Sequence, residues 1–187
     1  MTEAEYLAME RASSEKHELW RGEVFAMTGG TLAHAMLAMN VGAALLGALG
    51  SRGCRVLGSD AKVHVPATRG FVYPDVSVVC GELQTYDGSR DVLLNPMVVV
   101  EVLSESTERF DRGDEFAGYR SIASLADYVL ISQRLRRVEV YTRQADGAWL
   151  LRAYDDEQPA VRLPSVDVGL ALDEIYRGVP EAASDSA

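Results

Sequence analysis

Lysine is almost missing from this chain: of its 18 basic residues only Lys16 and Lys62 are lysines. Against them stand 28 acidic residues, for a net charge of −10. That balance excludes a broad electrostatic footprint for nucleic acid and leaves room only for a local basic groove. Cysteine is scarce too. Cys54 and Cys80 are too few for a zinc site and too far apart for a C-x-x-C motif. They are expected to be buried free thiols in a reducing cytosol, which points to a cytoplasmic protein. No internal repeat is visible and no secretory leader is expected. One long apolar run, "AHAMLAMNVGAALLGALG" at 33–50, is nearly long enough for a bilayer. It carries His34, Asn40 and glycines that a closely packed core helix tolerates, so a core helix and no membrane contact are expected.

What is present suits one globular domain. The 187 residues are 48% apolar and 25% charged, enough for a real core. "TEAEYLAMERASSEKHEL" predicts a helix with acidic residues in its first turn. "WRGEVFAMTGG" predicts a short strand pair bending at Arg21-Gly22, and Thr28 or Thr31 can cap the helix that follows. Strands are expected over 54–65, 72–79 and 97–103, with an exposed loop "GELQTYDGSRDVLLN" before the last. A helix follows over 111–122, then a buried strand "DYVLIS" at 127–132. A β-hairpin turning at Ala145-Asp146-Gly147 completes the pattern. The order gives an α/β (α+β) domain with a mixed sheet flanked by helices over 1–180. The tail 181–187 is expected to be disordered.

The run Val98–Val102 is β-branched apart from Glu101. A buried, unpaired carboxylate there costs several kcal/mol at least, so it must be paired, protonated or bound to a metal. Asp75, in "YPDVSVV", starts another strand behind Pro74. Neighbouring strands can bring the two carboxylates together, and a divalent cation or a shared proton would relieve their repulsion. Magnesium suits one or two carboxylates completed by water or phosphate. The alternative reading is structural, with Asp75 capping a turn and Glu101 paired to an arginine.

"YPDVSVVC", "NPMVVVEVLSESTERFDRGDEF" and "YRSIASLADYVLISQ" closely resemble the PD-(D/E)XK nuclease superfamily, in its restriction-endonuclease branch of Uma-two type. The resemblance runs from "EYLAMERASSEKHEL" to "LPSVDVGLALDEIY", nearly the whole chain. It implies a restriction-endonuclease-like core, α-β-β-β-α-β, with an N-terminal helix and a C-terminal β-hairpin added. It implies Mg²⁺, replaceable by Mn²⁺, held by Asp75 and Glu101, with the backbone carbonyl of Val102 as a third ligand. Glu18 matches an N-terminal-helix glutamate that joins the site, and His34 matches a recurrent position near the start of the second helix. DNA as partner follows from the same resemblance. A homodimer is expected because the hairpin 137–155 extends beyond the nuclease core and the helix at 33–50 has surplus apolar surface, the resemblance pointing the same way.

One departure matters. The superfamily lysine two residues after the glutamate is Leu103 here, and the helix position that replaces it in this branch is Glu115, in "DRGDEF". That lysine orients water and stabilises charge on the phosphate; a glutamate repels it. Lys62 alternates with Asp60 and His64 on one face of a strand expected beside Asp75, which makes it a candidate replacement. Arg109 and Arg112 are others. Three functions follow. The first is a Mg²⁺-dependent DNA endonuclease, the second a catalytically impaired pseudo-nuclease acting as a binding or assembly module. The third is an acid/base pair of glycosidase type, for which nothing else in the chain asks.

Overall fold

In the computed structural model, residues 1–27, 29–105 and 107–180 are described. Thr2 caps the first helix, α1 (Glu3–Ala12), in a capping box with Glu5. The helix ends there and does not continue through Leu19 as the sequence suggested. Ser13 turns to extended backbone, and strand β1 (His17–Trp20) follows. Leu19 and Trp20 enter two different cores, which a strand's alternation allows. Arg21 and Gly22, both at positive φ, turn the chain into β2 (Glu23–Ala26) as expected. Helix α2 (Leu32–Leu49) is capped by Thr31, which accepts the His34 N–H at 3.1 Å. Thr28, the other candidate cap, lies outside the described residues.

The predicted strand 54–65 is two strands, β3 (Cys54–Gly58) and β4 (Lys62–Val65), split by a turn at Gly58–Ala61 and sent to different sheets. Then come β5 (Gly70–Val72), β6 (Val76–Cys80), β7 (Val92–Leu93) and β8 (Val98–Leu103). The helical stretch Glu108–Tyr119 comprises α3 (Glu108–Phe110), a π turn (Asp111–Glu115) and α4 (Phe116–Tyr119). Strand β9 (Asp127–Ser132) precedes the predicted hairpin, β10 (Val138–Arg143) and β11 (Trp149–Tyr154). A small pair absent from the sequence reading, β12 (Ala160–Leu163) and β13 (Val168–Ala171), leads to α5 (Leu172–Ile175). The tail 181–187, expected to be disordered, lies outside the described residues.

The main sheet has the order β11-β10-β9-β8-β6-β3. Within it the succession α2, β3, β6, β8, the 108–119 helix and β9 is the α-β-β-β-α-β core. Strands β8 and β9 run parallel, joined by that helix as a crossover. Val98, Val100 and Val102 face the core that includes Leu37, Val41, Leu45 and Leu49 of α2. Val99 and Leu103 face the opposite core, with Tyr119 and Tyr128. Burial on both faces explains the unbroken apolar run, and Glu101 belongs by alternation to the second face. The segment Leu32–Arg52 is long and apolar enough to cross a membrane by length and composition. In the fold its buried leucines and Val41 cover the sheet.

Two further expectations change. Cys54 and Cys80 are not free thiols: they face each other in the β3–β6 register and form a disulfide. Cross-strand register, invisible in the spacing of 26 residues, brings them together. The loop before β8 is not wholly exposed either. Val92 and Leu93 are buried, and β7 runs parallel to β4 in a second sheet of order β2-β1-β5-β4-β7.

Candidate active site

The β6–β8 register pairs Val76 with Val100, so one step further Asp75 stands opposite Glu101. Both line a cleft of about 840 Å³, shared with Glu18, Asp111 and Glu115. The Asp75 N–H lies 3.5 Å from Glu101 Oε2. Asp75 Oδ2 accepts the Val102 N–H at 2.8 Å, and its Oδ1 lies 2.7 Å from His34 Nε2. Glu101 Oε1 accepts the Tyr119 hydroxyl at 2.8 Å. Glu18 reaches the site from β1, not from the first helix, and accepts the Tyr73 N–H at 2.9 Å.

Crowding of carboxylates in a poorly solvated place sets the electrostatics. Burial foremost, then the charges of Glu115, Asp75 and Asp111, holds the Glu101 carboxyl well above the ordinary carboxylate range. Glu115 is raised in the same way by burial, then by Asp111 and Glu18, against a hydrogen bond from Tyr128. Asp111 is pushed up to about 7 by burial, with Thr107 opposing and Asp75, Glu18 and Glu108 adding. Glu18 is raised by burial, against the Tyr73 N–H and reinforced by Asp75. His34 is raised chiefly by its hydrogen bond to Asp75.

Oxygen-rich donors under mutual repulsion fit a hard divalent cation. Among the described residues, no three Asp, Glu, His or Cys side chains are placed to hold one metal ion together. Magnesium does not require such a trio: it takes one or two carboxylates and completes its shell with water and phosphate.

The structure brings Asp75, Glu101, Val102, Glu18 and Glu115 to the cleft and leaves Lys62 out. Lys62 is buried on β4, its ammonium 2.9 Å from Asp91 and donating to the Tyr73 hydroxyl at 3.1 Å. Strand β4 belongs to the second sheet, so Lys62 does not flank Asp75 as the alternation suggested. Arg112 is committed to Glu108 and Glu139. Among the described residues lining the cleft there is no lysine or arginine.

Four residues were missed. Tyr119 and Tyr128 present hydroxyls to Glu101 and Glu115. Gln133 donates to the Leu103 carbonyl at 2.7 Å, accepts from Thr31 at 2.6 Å and lies 3.5 Å from His34 Nδ1. Asp111, four residues before Glu115 on one helix face, was the one signal the sequence offered.

Residues 3–173 match the Uma2 family, described as "Putative restriction endonuclease". Two proteins of Synechocystis sp. are similar over most of their length. One, slr1290, is 35% identical over 175 residues, covering 94% of this chain and 90% of its own. The other, sll1609, is 36% identical over 151 residues, covering 81% and 85%. Both are described as uncharacterized. The fold is shared, with a TM-score of 0.77 and 15% identity over 94% of this chain and 97% of the other, by an Anabaena variabilis protein described as "a putative nuclease belonging to DUF820". A match over nearly all of the chain, on a restriction-endonuclease-like core, makes this protein a member of the Uma2 family.

Proposed function

We propose that the protein is a Mg²⁺-dependent endonuclease hydrolysing DNA phosphodiester bonds, with Asp75 and Glu101 as metal ligands. The observation that carries this reading is that Asp75, just ahead of β6, and Glu101, on the neighbouring β8, lie side by side in the lining of one cleft. A divalent ion held there would supply Lewis-acid stabilisation of charge on the phosphate and lower the pKa of water. The protein's part is orientation. Val102 and His34 fix the Asp75 carboxylate from two sides, and Tyr119 holds one oxygen of Glu101. The Val102 carbonyl and Glu18 are the further candidates to hold the ion.

A second reading, an impaired pseudo-nuclease that binds metal and nucleic acid, is favoured by Glu115. It occupies the position of the family lysine, lines the cleft, and has no arginine or lysine beside it among the described lining residues. One experiment separates the two. Supercoiled plasmid is incubated with Mg²⁺ or Mn²⁺ and wild type, Glu115→Lys or Asp75→Asn. Cleavage by wild type that is abolished in Asp75→Asn supports the enzyme. Inactive wild type with active Glu115→Lys supports the impaired form, because one such electrostatic stabiliser contributes about 10²–10³ in rate. Inactivity of wild type and Glu115→Lys alike removes catalysis from the account.

A further inference from the structure

The cleft is acidic at its floor and apolar toward the β1–β2 hairpin, where Trp20, Phe25, Met27 and Phe110 line it. Phe25 is 49% exposed in the cleft wall. In the β1–β2 register it stands directly opposite Glu18. The two side chains therefore leave the hairpin on the same face, about 5 Å apart at Cβ. Trp20 and Phe110 pack edge to face at 5.1 Å, whereas among the described residues no ring packs on Phe25. An open aromatic face is thus held one strand spacing from Glu18, in the same cleft as Asp75 and Glu101.

Charge weighs against nucleic-acid binding in general and most against a duplex, which carries the denser phosphate charge. A duplex is bound mainly by neutralising its phosphates with lysine and arginine. This chain carries a net charge of −10, and its described cleft lining contains neither residue. An unpaired strand has another source of affinity, because its bases stack on exposed aromatic rings whatever their sequence.

We propose that the cleft receives an unpaired DNA strand, with one base stacked on Phe25 and the adjoining phosphate directed to the Asp75–Glu101 end. The proposal rests on the metal-site reading above and names its substrate class. It is tested by fluorescence anisotropy with a labelled single strand of about 12 nucleotides, within the site sizes of single-strand binders. The same sequence as a blunt duplex is the comparison, and Ca²⁺ replaces Mg²⁺ to suppress turnover. Mn²⁺ binding is measured separately by calorimetry.

The single strand should bind more tightly than the duplex, with a shallow salt dependence. Phe25→Ala should weaken single-strand binding by about tenfold, with thermal midpoint and Mn²⁺ affinity unchanged, and Phe25→Trp should restore it. Equal or tighter duplex binding, or an unaffected Phe25→Ala, overturns the proposal while intact Mn²⁺ binding leaves the metal site standing. Absence of Mn²⁺ binding by wild type overturns the metal-site reading and this inference with it.

Discussion

His34 Nε2 lies 2.7 Å from Asp75 Oδ1, tying the first turn of α2 to the start of β6. Gln133, held by Thr31 and the Leu103 carbonyl, lies 3.5 Å from the other ring nitrogen. Groups that orient a metal-binding carboxylate typically contribute 10–100-fold to metal affinity. His34→Ala should therefore weaken Mn²⁺ binding by about that factor without unfolding the protein, as measured by calorimetry and circular dichroism. Unchanged affinity would leave His34 a purely structural link.

The carboxylate cluster gives a pH dependence of definite sign. Asp111 has its folded value raised from 3.8 to about 7. A raised carboxylate contributes stability that is complete below its unfolded value and is lost as pH rises through its folded value. Without metal, that contribution should fade between about pH 4 and 7. Asp111→Asn should consequently be more stable than wild type at pH 8, by a few kcal/mol at most, with the advantage vanishing near pH 4. Thermal melts across pH check this. Adding Mn²⁺ should raise the wild-type midpoint more at pH 8 than at pH 5.

Gly70 lets β5 approach β1 closely within the second sheet. A Cβ there would meet the Leu19 carbonyl oxygen at 2.5 Å and Thr68 Oγ1 at 2.7 Å. Strand β1 would have to move, and it carries Glu18 into the cleft. Gly70→Ala should cost about 1–3 kcal/mol, read as a lowered urea midpoint, and should weaken Mn²⁺ binding as well.

On α2, Leu32, Met39 and Leu46 recur every seventh residue and are 83%, 72% and 57% exposed. An uncharged stripe of that spacing matches a helix–helix seam, and self-association through it is our expectation for this chain. Light scattering at micromolar protein should give a dimer mass, shifted to monomer by Met39→Lys. A monomeric wild type would refute the expectation.

Much of this was readable in residues whose neighbours in sequence decide their fate. Glu101 stands out because its strand is otherwise β-branched, and Asp75 because Pro74 starts a strand beside it. The hairpin at Ala145-Asp146-Gly147 carried its own turn chemistry. What escaped depended on partners far along the chain. Lys62 alternates as a strand should, yet Asp91 and Tyr73, which hold it, come from other elements. Glu18 reads as helical and stands on β1, since nothing local shows that Leu19 and Trp20 serve separate cores. Cys54 and Cys80 became a bridge only through the β3–β6 register. The hydroxyls of Tyr119 and Tyr128 gain meaning only once folding sets them against carboxylates.

Asp75 and Glu101 are proposed to hold a divalent ion together. Crystals soaked in Mn²⁺ and measured at the manganese absorption edge test this directly. An anomalous peak bonded to both carboxylates is expected, lost in Asp75→Asn and in Glu101→Gln. A peak elsewhere in the cleft, or none at saturating Mn²⁺, would contradict the proposal.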